Sequence, residues 1–437
     1  MYQKIAELSA AVQPKITAQR RDFHKYAETG WLEMRTSSII ARRLTDMGCF
    51  EVLVGSDVCL DDARMGLPDP EVLDAQYERA VAQGGDPEFL PYTKGGHTGV
   101  IGILRCGEGP TVALRFDIDA LGVIESDEPT HYPTAEGFAS VNYGFMHACG
   151  HDGHASIGLG VAEVLSQIKD SLHGTVKLIF QPAEEGVRGA KSIVEKGHLD
   201  DVDFVIGNHI GAPNGIYKDT DFIPGSGGNM ATTKLDVYYH GASAHASGAP
   251  HVGRNALQAA AAAIMNLYAI PRHGQGESRI NVGTINAGTG RNVIADIAKM
   301  EMEVRGKTTE IKDYMEERAR AVIKACAEMY GCTYEIKVMG GAQTAESDPE
   351  LMERVKRVIT EHMPEYRVHD YVPQPGGGSE DYTYMMQRVQ SHGGQATFFR
   401  SLCPCAGPGH SRIYDFDEAI LGKAVRVFSS VVYDIMK

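Results

Sequence analysis

Positive charge and long apolar runs are what this sequence has least of. Its 42 Lys and Arg face 57 Asp and Glu, a net charge of −15. A chain this acidic repels phosphate backbones and anionic lipid, so neither nucleic acid nor a membrane surface is expected as a partner. A small anionic substrate stays open, because a local basic pocket fits within an acidic protein. No apolar run reaches the ~18 residues of a bilayer span. The most apolar segment, 256–270, is interrupted by Gln258 and Asn266 and reads as a helix packed on one side. The opening MYQKIAELSAAVQPKI has no basic stretch followed by an apolar one. It reads as an amphipathic helix, and the expected location is cytoplasmic. Cysteine is sparse, and eight scattered thiols make no disulfide framework.

Several catalytic signatures are missing too. Gly158-Leu-Gly160 has no third glycine and no strand before it, which argues against a dinucleotide site. Neither a P-loop nor a Gly-x-Ser-x-Gly elbow occurs. Cys403-Pro-Cys405 lacks a second cysteine pair at zinc-site spacing, so two buried or reducible thiols are expected there.

What is present is ample core material: 43% of 437 residues are hydrophobic, enough for two or three domains or one large domain with an insertion. Helical periodicity runs through Ile5, Leu8, Val12 and Ile16, then Ile39, Ile40 and Leu44. Residues 61–96 are polar and read as an insertion holding one helix near 70–83. Short β-branched runs follow: TVALRF leads into Asp117 and Asp119, TVKLIF into QPAEEG, VDFVIG into Asn208-His209, and QATFF into a loop ending at His410. Alternating with helical stretches such as 156–168, they predict an α/β domain built on a mostly parallel sheet. Between 225 and 341 the texture changes. KLDVYYHG, RINVGTI, AKMEMEVRG and TYEIKV alternate as half-buried antiparallel strands do, with helices near 255–268 and 310–329. The expected organisation is 1–224 and 342–437 as one domain, with 225–341 inserted as an α+β domain. Glycines 225, 227 and 228 and the pair 340–341 are expected as hinges.

In an open parallel sheet, ligands gather at the carboxyl ends of strands. Asp117, Asp119, Glu184, Glu185, His209 and His410 are therefore expected to converge. The segment His147-Ala-Cys-Gly-His-Asp-Gly-His154 adds three histidines, a thiol and a carboxylate just before a helix, which points to a metal site. A lone buried cysteine is usually inert filler, but Cys149 inside a histidine cluster, two residues from His151, reads as a thiolate ligand. For His147 and His154, capping or a supporting hydrogen bond is as good a reading as ligation. The adjacent carboxylates of Glu184 and Glu185 point in different directions, so one can ligate metal while the other serves as general base.

In this order, Asp117-Ile-Asp119, HACGHDGH, QPAEEG, Asn208-His209, SAHAS (243–247), GGGSED (376–381) and Gly409-His410-Ser411 resemble the aminoacylase and carboxypeptidase-G-like metallopeptidases. Within these they resemble the amidohydrolase branch, in which Cys149 replaces a bridging aspartate. The resemblance covers essentially the whole chain. It implies a di-metal hydrolase domain, with the inserted module acting as a lid and dimerisation domain, and hydrolysis of an N-acyl amino acid. Cys149, His151, Glu185, His209 and His410 match the ligand positions for two divalent ions, with manganese favoured and zinc also suited. Glu184 matches the general base, and Asp119 a residue that orients a ligand. His245 matches a lid histidine that reaches the neighbouring subunit's site. Asn292, Arg305, Gly378 and Ser379 match positions holding the substrate's carboxylate and carbonyl, and Arg291 is an added cation suited to a second carboxylate. The implied assembly is a homodimer, or a heterodimer with a paralogous B subunit, paired through lid strands at 235–239 and 280–285. A broader amidohydrolase or dipeptidase, and a non-catalytic binding or regulatory subunit, are the alternatives.

Overall fold

The computed structural model describes all residues except 374–377, so Gly376 and Gly377 of the GGGSED string lie outside the described residues. The chain divides into two compact units. One comprises Met1–Gly227, Ala345–Pro373 and Asp381–Lys437, and the other Gly228–Thr344 and Gln374–Glu380. Residues 378–380 thus group with the second unit, although they lie beyond 341.

In chain order the strands are β1 (Glu51–Val54), β2 (Val100–Arg105), β3 (Thr111–Asp117), β4 (Thr175–Gln181), β5 (Phe204–Gly211) and β6 (Phe222–Ile223). Then come β7 (Ala231–His240), β8 (Ser278–Ala287), β9 (Ile297–Gly306), β10 (Thr333–Ala342), β11 (Gln395–Leu402), β12 (Cys405–Ala406) and β13 (Asp415–Phe416).

The first unit is built on a seven-stranded sheet in the order β1-β2-β4-β3-β5-β11-β6. Its centre, β4-β3-β5-β11, is parallel, and the flanking strands β1, β2 and β6 pair antiparallel. The central strands are near-continuous apolar runs because helices cover both faces. On one face Phe116, Phe180 and Phe399 meet the helices Tyr2–Lys25, His151–Ile168 and Ile420–Met436. On the other, Ala113, Ile179, Val205 and Phe398 meet Ala190–Glu195 and Tyr382–Ser391. Gly158 and Gly160 serve this packing. A Cβ on Gly158 would lie 2.6 Å from Phe180, and one on Gly160 2.7 Å from Val425.

The helix expected from 156 begins at His151, capped by Gly150 in the left-handed conformation at φ 86°. His151, Asp152 and His154 therefore lie on the helix's first turns rather than in a loop. His209 likewise lies inside β5 rather than after it.

The second unit is a four-stranded antiparallel sheet, order β10-β7-β9-β8. The helices Ala256–Tyr268 and Thr309–Met329 contribute to its core with Leu235, Val237, Met300 and Met302. Asn255 and Thr308 cap them, their side chains accepting the N–H groups of Gln258 and Ile311. Two expectations are corrected here. Strand 235–239 lies within β7, which is paired on both sides, so of the two expected pairing strands only 280–285, in β8, lies at an edge of this sheet, whose other edge is β10. Gly340 and Gly341 are paired strand residues of β10 beside a bulge, not a terminal hinge.

Candidate metal centre

The glutamate pair sits on a turn that β4 delivers and that the chain holds in unusual backbone geometry. Ala183 and Val187 flank it at φ 52° and 60°, a region L-residues rarely adopt. Several buried groups support this turn. The Asp119 carboxylate accepts the Glu184 N–H at 3.1 Å and the Glu185 N–H at 2.9 Å. The Ala183 N–H donates to Glu33, whose other oxygen accepts the Thr98 hydroxyl. Asp381 accepts the N–H groups of Gly189 and Ala190. Arg188 donates to the Glu185 carbonyl and to that of Gly66 in the insertion. Burial, then the nearby Asp119 charge, push the Glu33 carboxyl up to about 8.

The histidines are sorted by what their second nitrogen touches. His151 Nδ1 lies 3.2 Å from Asp119, so Nε2 is the atom presented inward. His209 Nδ1 donates to the Ile210 carbonyl, leaving its Nε2 lone pair 3.4 Å from the Cys149 sulfur. His154 has no nitrogen to spare. Its Nε2 accepts the Ile210 N–H at 2.9 Å, so Nδ1 carries the proton given to Asp117. That places His154 in a supporting role. His147 is buried and neither of its nitrogens is hydrogen-bonded. His410, also at a left-handed φ of 65°, is held by its N–H donating to the Ala148 carbonyl, and its Nε2 lies 3.4 Å from Glu185.

These side chains form overlapping triads of potential ligand atoms, each within 4.8 Å of one another: Cys149, His151 and His209; Cys149, Glu185 and His410; and His151, Glu184 and Glu185. The Cys149 thiol belongs to two of them, a position suited to bridging two cations. Buried ligand atoms without a hydrogen bond, His151 Nε2 and Glu185 Oε1, face this cluster.

The electrostatics suit cations as well. The neighbouring Cys149 sulfur and Glu185 carboxylate favour the protonated ring and raise His410 to about 10. Burial opposes charge on His151, yet Asp117, Cys149 and Asp119 hold its pKa well above the usual value. Burial would raise the Asp117 carboxyl, but Arg115, His151 and His154 keep it well below the normal range. His209 goes the other way. Burial, with His154 and Arg400 nearby, pushes it far down, which favours a neutral imidazole with its Nε2 lone pair toward the Cys149 sulfur.

The remaining expected site residues belong to the second unit. Exposed His245 accepts the N–H groups of Ser247 and Gly248 on Nδ1, which leaves the proton on Nε2. His245 makes an isolated backbone bridge to Val293, beside exposed Arg291 and Asn292. Arg305 is bound in a fork by Glu303. Gly378 and Ser379 bond to Met230, the first accepting its N–H and the second donating to its carbonyl.

Sequence reasoning missed Glu33, Arg115 and Arg188. A signal existed only for Arg115, a charge inside the apolar TVALRFD strand. It is fully buried and paired with Asp117 and Asp381, as a buried charge must be.

The fold and this cluster define a hydrolase, and the chain belongs to peptidase family M20/M25/M40, whose family model matches residues 113–434. It is 45% identical to the indole-3-acetyl-aspartic acid hydrolase of Enterobacter agglomerans, over 95% of this chain and 94% of that one. It is 42% identical to the A subunit of the p-aminobenzoyl-glutamate hydrolase of Escherichia coli, over 96% and 95%. A crystal structure of the aminobenzoyl-glutamate utilization protein from Klebsiella pneumoniae matches with a TM-score of 0.84 at 39% identity, covering 98% of this chain and 97% of that one. These comparisons bear out a resemblance to that A subunit over nearly the whole chain.

Proposed function

We propose that this chain hydrolyses the amide bond of p-aminobenzoyl-glutamate to p-aminobenzoate and glutamate. The observation that carries the chemistry is the Cys149 thiol common to two ligand triads. The substrate reading rests on the relatives. Two of them are named for an aryl-bearing acyl group joined to an acidic amino acid.

Cys149, His151, Glu185, His209 and His410 would hold two divalent cations. Thiolate and imidazole suit zinc, carboxylates admit manganese, and manganese is favoured. When bound, the cations supply Lewis acidity toward the scissile carbonyl and toward water. Glu184 takes the proton of the attacking water and passes it to the leaving nitrogen. Asp119 keeps Glu184, Glu185 and His151 in register. In this reading the second unit is a lid and dimerisation domain inserted between 1–224 and 342–437. Its His245 offers Nε2–H to the oxyanion forming in a partner subunit. Asn292, Arg305, Gly378 and Ser379 hold the substrate's carboxylate and carbonyl. Arg291 serves a second carboxylate, since among the described residues it has no ion pair whereas Arg305 shares its charge with Glu303. The working assembly is a homodimer or a pair with a paralogous B subunit, joined through the β8 edge. Its location is cytoplasmic, which suits eight free cysteines.

The test is hydrolysis of p-aminobenzoyl-glutamate beside indole-3-acetyl-aspartate, a dipeptide and acetyl-amino acids, with and without Mn2+. The highest kcat/KM is expected for p-aminobenzoyl-glutamate with Mn2+. A clear preference for indole-3-acetyl-aspartate would move the substrate assignment. Failure on every substrate with metal present would favour a binding subunit.

A further inference from the structure

Cys403 and Cys405 have no part in the chemistry above, yet they sit among the segments that carry it. The Cys403 N–H donates to the carbonyl of Gly211 at 3.0 Å, two residues beyond His209. Cys405 lies in β12, which pairs with β13, and His410 is on the loop between them. The Cys405 thiol lies beside the hydroxyl of buried Tyr414. That hydroxyl packs on Gly150, where a Cβ would come within 3.0 Å of it, and Gly150 separates Cys149 from His151. The dithiol therefore touches all three segments that bring His209, His410 and the Cys149-Gly-His151 corner together.

The two sulfurs are also placed for each other. The Cys405 thiol turns back along the chain and donates to the Cys403 carbonyl oxygen at 3.4 Å, which brings it beside Cys403. Cys405 lines a surface cavity of about 440 Å³ with Pro404, Asp415 and Glu418. We propose that Cys403 and Cys405 are a redox-modified dithiol site, which a hydroperoxide oxidises to a disulfide, and that this modification loosens metal binding through His410, His209 and Cys149. The second half rests on the metal reading given above.

The order of attack follows from the two environments. Cys403 is buried, whereas Cys405 is only partly buried and lines the cavity. Cys405 is the thiol a peroxide can reach, so it reacts first. Its sulfur attacks one peroxide oxygen. An S–O bond forms, the O–O bond breaks, and the departing hydroxide takes a proton to become water. The Cys403 sulfur then attacks the resulting sulfenic acid. The S–S bond forms, the S–O bond breaks, and the second hydroxide leaves as water with the Cys403 proton. Two thiols are oxidised by two electrons, and one hydrogen peroxide is reduced to two waters. Closing the ring draws in the base of the β12–β13 hairpin and strains the Gly211 and Tyr414 contacts.

The test treats the purified full chain with graded hydrogen peroxide, maps peptides by mass, and reads Zn2+ affinity by competition with a chromogenic chelator. At peroxide levels that leave Cys149 unmodified, the peptide holding residues 403–405 is expected to lose two hydrogen masses. Zn2+ affinity should then fall about 10- to 100-fold, the usual cost of disturbing groups behind a metal site, and dithiothreitol should restore both. Cys403→Ser and Cys405→Ser should bind Zn2+ like the untreated protein and keep that affinity after peroxide. Oxidation of Cys149 before the pair would overturn the proposal, as would a disulfide that leaves Zn2+ affinity unchanged. A reduced protein that binds no Zn2+ would overturn the metal reading and the coupling with it, while the peptide mass still decides the dithiol. The wild-type measurement stands even if a serine variant fails to fold.

Discussion

Asp119 Oδ1 lies 3.2 Å from His151 Nδ1, and the same oxygen accepts the Glu184 N–H. One carboxylate thus sets which ring nitrogen faces the cluster and where the glutamate turn rests. In Asp119→Asn, one acceptor oxygen becomes a donor facing N–H groups. Metal affinity is expected to fall about 10- to 100-fold, measured by chelator competition. Unchanged affinity and kcat would show that Asp119 does not register these segments.

Glu184→Gln should keep metal binding, because ligation falls to Glu185, yet lose turnover. General-base catalysis is worth roughly 10²- to 10⁴-fold. Metal content by emission spectroscopy beside kcat separates the two effects. A variant with normal metal and near-normal kcat would remove Glu184 from the role.

Cys149→Ser replaces a soft anionic ligand shared by two triads with a neutral hydroxyl. Affinity for both ions should fall together, since in the proposed centre Cys149 would be a ligand available to both. A titration that still shows one tight and one unaltered site would place Cys149 outside the bridge.

His24 gives a pH prediction. Its ring is fully buried between Asp152 and Glu125. Burial opposes its charge, but those carboxylates raise its pKa from 6.5 to about 8. A histidine raised in the folded state contributes stability that is complete below the unfolded pKa and lost as pH rises through the folded one. The window here is about pH 6.5 to 8, and the shift corresponds to about 2 kcal/mol. The stability gap between wild type and His24→Gln, by urea unfolding, should shrink by about that amount from pH 6 to pH 9. A gap constant with pH would mean His24 is not charged in the fold.

The shared-site reading predicts complementation. His245→Ala and Glu184→Gln, each inactive alone, should regain partial activity when mixed under subunit exchange, because one site of each mixed dimer has both groups intact. The purified chain without any B subunit is needed. An active monomer, or freely exchanging variants without recovery, would end the idea.

Much of the centre was legible because its residues come as dense strings at strand ends, where local pattern suffices. The triads of Cys149, His151, Glu185, His209 and His410 involve only residues those strings contain. What stayed hidden depends on partners far along the chain. Glu33 is one acid among 57, and nothing near it says that it will accept the Ala183 N–H. His154 could be separated from His151 only once Asp117 and Ile210 were seen to occupy both its nitrogens. The pairing edge expected at 235–239 failed for a related reason: alternation reports a half-buried strand, not whether both its edges are taken. The helix start failed locally, because the glycine at 150 and the polar residues 151–154 disguise the first turn.

The position of β11 has a consequence for how the protein is made. It is hydrogen-bonded between β5 and β6, yet the ribosome delivers it only after the entire second unit. Until then β5, with His209, stands at an open sheet edge, and His410 does not yet exist. A nascent chain paused in the second unit therefore exposes an unpaired strand beside a thiol and two glutamates, a surface prone to mispairing. The triad of Cys149, Glu185 and His410 is thus complete only in the finished polypeptide.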